Sequence, residues 1–65
     1  MNDQLESLYM QLIDAVTALA LTDDAIVDAH NSNDSQKHRA LLTTRKELQA
    51  QINTIKAQIQ KAERR

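Results

Sequence analysis

The side chains best suited to chemistry lie close together in the middle of the chain: Asp24, Asp28, His30, Asp34 and His38. On a helix, Asp24 with Asp28 and Asp34 with His38 have the four-residue spacing that puts two groups on one face. Carboxylate oxygen and imidazole nitrogen together suit a divalent metal. No zinc-helix or calcium-loop motif accompanies them. Each group also has an ordinary use, as an acidic helix end, a capping aspartate or a histidine beside a turn. The expectation is no metal and no cofactor. Nucleophilic chemistry has less to stand on. The serines are Ser7, Ser32 and Ser35, and none sits in a local arrangement with a base and an orienting group. Glycine is absent, so there is no glycine-rich loop to cradle a phosphate. A two-helix rod also lacks a deep pocket that excludes water. The expectation is a protein that is not an enzyme.

Phosphate binding is the remaining chemistry to weigh. Every Lys and Arg (Lys37, Arg39, Arg45, Lys46, Lys56, Lys61, Arg64, Arg65) lies in residues 35–65, where the acids are Glu47 and Glu63, for a formal charge of +6. Residues 1–34 hold Asp3, Glu6, Asp14, Asp23, Asp24, Asp28 and Asp34 and neither Lys nor Arg, for a formal −7. Contacts to nucleic-acid phosphates need cations. The basic half, however, has no aromatic residue on which bases could stack. Its cations are spread among Ala, Gln and Thr, and the acidic half opposes their field. The favoured reading is a solvated face matched to the acidic half. A nucleic-acid-binding bundle that presents the basic helix is the alternative. Small dimeric RNA-binding bundles share this size and shape, without a shared residue motif.

The elements that must position these residues follow from composition. Sixty-five residues make one small domain. A chain this short buries only about 60% of its unfolded surface, so something must staple it. There is no Cys, Phe or Trp and a single Tyr, which leaves association as the staple. With neither Gly nor Pro, helix interiors lose their two worst residues and sheet hairpins lose their favoured turns. No apolar run approaches the roughly 20 residues of a membrane span. The start of the chain lacks the basic region of a signal peptide. A soluble, cytoplasmic protein with no membrane partner is expected.

Apolar spacing places the first helix from about Asp3 to Ala29, capped by Asn2 or Asp3. Its main seam is Leu5, Leu8, Leu12, Ala15, Leu19, Ile26 and Ala29, interrupted at Thr22. A second row, Tyr9, Ile13, Val16, Ala20 and Val27, makes the apolar stripe wider than one partner helix would cover. Residues 30–34 form the loop. Asn31 and Asn33 tolerate left-handed geometry there, and Asp34 or Ser35 can cap the next helix. The second helix runs from about Ser35 to Ala62. Its seam of His38, Leu41, Arg45, Leu48, Ile52, Ile55, Ile59 and Ala62 has coiled-coil spacing. The fold class is all-α: an antiparallel, coiled-coil-like two-helix hairpin over residues 1–65, associating into a helical bundle. Folding the chain at residue 32 sets Leu5 near Ile59, Leu12 near Ile52, Leu19 near Arg45 and Ile26 near His38. It also brings Asp23, Asp24 and Asp28 beside Lys37 and Arg39, where misplaced helix-end charges can neutralise one another.

Two polar groups interrupt the second seam. Arg45 can set register or oligomeric state by pairing with Asp14 or Asp23, or it can lay its stem on the core with its charge in water. His38 can act as a pH-dependent contact near Asp34, or it is a half-exposed histidine in a first turn. The residues expected to carry the core and association are Leu5, Leu8, Leu12, Ile13, Val16, Leu19, Leu48, Ile52, Ile55 and Ile59, with Tyr9 and Met10 as exposed contacts. The functional expectation is a small protein–protein interaction module: an adaptor, a chaperone or an inhibitor. Its partner is another protein, or itself as a homodimer or higher oligomer. A purely structural oligomeric coiled coil is a further alternative.

Overall fold

A computed structural model describes residues 3–64 of the chain. The alternative cap Asn2 and the terminal Arg65 lie outside the described residues. Two α-helices make up the fold: α1 (Asp3–Asn31) and α2 (Ser35–Glu63). They pack along their whole length as an antiparallel hairpin measuring 49 × 15 × 10 Å. Helix α1 continues two residues past the expected Ala29. Neither helix is long and apolar enough to cross a membrane.

The turn explains how a chain without glycine reverses so sharply. Asn33 takes the left-handed conformation, with φ of 57°, a region that asparagine tolerates better than other residues with a Cβ. Its N–H donates to the carbonyl of His30 (3.2 Å), and that of Asp34 donates to the carbonyl of Ala29 (3.0 Å). These are the two bonds of a Schellman motif, and they satisfy carbonyls that the end of α1 leaves without partners. Asp34 then starts the next helix. Its carboxylate accepts from the backbone N–H of Lys37 at 3.1 Å, the usual service of an N-cap. One residue thus closes the first helix and opens the second.

The core is a single seam. Leu8, Ala15, Thr22 and Ala29 are buried on α1, and Ile52 and Ile59 on α2, each series repeating every seven residues. Leu5, Leu12, Leu19, Ile26, Leu41, Leu48, Ile55 and Ala62 are half-buried beside them. No described side chain falls below 2% exposure, because two helices can cover only one stripe of each other.

The register differs from the expected one by about a helical turn. The turn centres on Asn33, and Arg45 bonds Asp23 while the His38 ring lies near that of His30. Leu8 therefore stands level with Ile59, Ala15 with Ile52, Thr22 with Arg45 and Ala29 with His38. Arg45 reaches Asp23, one turn beyond Leu19, and the His38 ring lies near that of His30, one turn beyond Ile26. Thr22 hides its own polarity by donating its hydroxyl to the carbonyl of Ala18 at 2.8 Å.

Candidate interaction face

The residues expected to mediate association divide into two sets. Leu8, Ile52 and Ile59 are buried inside the hairpin, and Leu5, Leu12, Leu19, Leu48 and Ile55 are half-buried along its seam. These are consumed by the fold. Tyr9, Met10, Ile13 and Val16 remain outside, with Ile13 58% exposed against 3% for Ile52. Leu21, Val27 and Leu42 are also exposed. Tyr9, Ile13, Val16 and Ala20 follow one another at intervals of four, three and four, so they form one strip on the flank of α1.

The two flanks of the hairpin are unlike. One carries a shallow groove edged by Gln4, Ser7, Gln11, Gln51, Thr54 and Gln58, with Asp14 and Lys61 beside them and Leu8, Ala15, Ile55 and Ala62 along its floor. The opposite flank carries the apolar strip, and two polar links between the helices bound it. Towards the loop, Arg45 Nε donates to Asp23 Oδ1 at 3.0 Å. Of the two acids proposed for Arg45, the structure selects Asp23; Asp14 lies on the polar groove instead. Both side chains of the pair are about half exposed, so the guanidinium reaches water while its stem crosses the seam. At the open end, the Tyr9 hydroxyl donates to Glu63 Oε1. The bond to Glu63 pushes the phenol pKa upward, helped by desolvation and by the carboxylate charge, because each of these favours the protonated ring. Glu63 was not anticipated. Its one sequence signal is a position close to the open end, within reach of long side chains once the register is known.

The charged residues at the loop do not pair as expected. Among the described residues, Asp24 and Asp28 form no ion pair with Lys37 or Arg39; the acid that finds a base is Asp23, through Arg45. The turn spends Asp34 on capping, and the remaining charges sit in water, where exposed pairs contribute little. His38 is half-buried, with its ring centroid 6.0 Å from that of His30 and the planes tilted by 49°. Among the described residues, no three His, Cys, Asp or Glu side chains converge on a point where a metal could be held. The Asp–His series thus disperses around the turn. Comparison with protein-family models, with curated proteins and with solved structures gave no match.

Proposed function

We propose that this chain is a small non-enzymatic protein–protein interaction module whose binding surface is the outer flank of α1. The observation that carries this reading is the strip of Tyr9, Ile13, Val16 and Ala20, left outside the seam beside the exposed Met10. Isolated apolar residues on a surface need no explanation, but a contiguous strip marks an interaction site. Tyrosine brings large contact area with a polar tip, and methionine adapts to the shape opposite it. A rigid rod that offers one helical face suits an adaptor, a chaperone or an inhibitor. Free of cysteine, the chain needs no oxidising compartment, which fits a cytoplasmic setting.

The test is a photo-crosslinking residue placed at Ile13, with a control at the exposed Ala57 on the far side of α2. Protein adducts formed at position 13 but not at position 57, and resistant to nuclease, are the expected result. Equal adducts at both positions, or adducts lost to nuclease, would defeat the reading.

A further inference from the structure

The hairpin is unequal in charge as well as in apolar width, and both inequalities fall on the same flank. Beside the strip of α1 run Glu6 at one end and Asp23 and Asp24 at the other. On α2, Arg39, Leu42, Lys46, Gln49, Asn53 and Lys56 follow at intervals of three and four and are all exposed, so they line the same flank in parallel with the strip. The face has one acidic, apolar rail on α1 and, on α2, a rail that is basic from Arg39 to Lys56 and ends at Glu63.

We infer that a second copy of the chain covers this face, with the twofold axis along the rod, so that each α1 lies beside the other copy's α2 and both loops point the same way. The inference rests on the reading of the α1 strip as a binding surface and names its occupant. Rotation about the long axis exchanges left and right but leaves heights unchanged. It therefore lays the α1 rail on the α2 rail in both halves of the interface, with Asp23 near the height of Arg39 and Lys46. An axis across the rod would instead set α1 on α1. Residues 1–34 contain seven acids and no Lys or Arg, so that contact would gather like charge, offset at Asp23 by Arg45 of the same hairpin. With the axis along the rod, every neighbouring pair of helices is antiparallel, as in an up-and-down four-helix bundle, and opposite in formal charge. Tyr9, Ile13 and Val16 of both copies would then enter a shared interior, which a single hairpin lacks. The same patch meets itself, so the assembly closes as a dimer.

The absence of cysteine makes the test direct. A spin label on Ser32→Cys reports the separation of the two loops. Loops at the same end give a label distance of about 20 Å or less, from helices 8–10 Å apart plus the label arms. Loops at opposite ends give a distance near the 49 Å length of the rod. Raising sodium chloride from low to high concentration should weaken the dimer about ten-fold, the loss of a few exposed charge pairs. Ile13→Ser with Val16→Ser, both at exposed positions, should yield monomers that keep their helical circular dichroism. A long label distance, or a dimer strengthened by salt, overturns this arrangement and leaves the binding surface standing. A chain that stays monomeric while position 13 still crosslinks another protein overturns the second copy alone. A dimer unaffected by the serine substitutions overturns the inference, because its contact would lie elsewhere.

Discussion

Replacing Arg45 by leucine should stabilise the hairpin slightly. Arg45 stands level with the buried Thr22 and bonds Asp23 at 3.0 Å, with side-chain exposures of 53% and 48%. Water screens a pair this open, so its share is about 0–1 kcal/mol. Full burial of a leucine contributes about 1.5–3 kcal/mol. The neighbouring seam residues Leu41 and Leu48 are only half-buried, so roughly half of that, about 1 kcal/mol, is the gain to expect at this position. Subtracting the middle of the ion-pair range leaves a net gain of roughly 0.5 kcal/mol. In a domain this small, that raises Tm by about 2–4 °C. The assay is thermal melting by circular dichroism at fixed protein concentration, since any association makes Tm depend on it. Light scattering on each variant fixes the oligomeric state. Asp23→Asn, and the double variant with Arg45→Leu, complete a thermodynamic cycle whose coupling should not exceed about 1 kcal/mol. A lowered Tm for Arg45→Leu, or a coupling above roughly 2 kcal/mol, would refute the reasoning, because the pair would then be structural and not a solvated tether.

Further outcomes follow from the same geometry. Ile52→Ala should cost about 2–5 kcal/mol and Ile13→Ala less than about 0.5 kcal/mol in the monomer, since one is buried and the other exposed; denaturant melts at low concentration check the contrast. Asn33→Val should destabilise by about 1–2 kcal/mol, because a β-branched residue resists the left-handed conformation at this φ, whereas Asn33→Gly should be tolerated. Asp34→Ala should cost about 1 kcal/mol through loss of the cap on α2, read as a lower midpoint in urea. Tyr9 is the only tyrosine, so its ultraviolet titration is unambiguous. Its midpoint should lie above the usual value near 10 and fall towards it in Glu63→Gln. The sign follows: a raised folded pKa means the Tyr9–Glu63 link stabilises below the unfolded pKa and loses that contribution as pH rises through the folded one.

Much of this architecture was legible in one dimension, and the exceptions have physical causes. The seams of α1 and α2 follow from apolar spacing, which depends only on helical periodicity. Asn33 and Asp34 were readable as turn residues because few side chains accept left-handed geometry or cap a helix. The register was not readable. Apolar spacing alone allows rows offset by about a helical turn, and the packed hairpin, with Arg45 on Asp23 and His38 beside His30, decided between them. The loop-end charges were misjudged for a related reason. Opposite charges near a turn attract weakly in water, and backbone capping commits Asp34 first.

The candidate face shows the division most clearly. That α1 carries more apolar width than one helix can cover, and that acid and base are segregated by helix, are properties of residue order. They hold whatever the helices pack against. Which apolar residues stay outside was decided only by the packed hairpin. A seam between two cylinders is narrow, so it takes Leu8, Ala15, Thr22 and Ala29 and leaves Tyr9, Ile13 and Val16 in solvent. The polar closure of that flank was likewise a tertiary matter, because Tyr9 with Glu63 and Asp23 with Arg45 meet only when the rod folds back in one register.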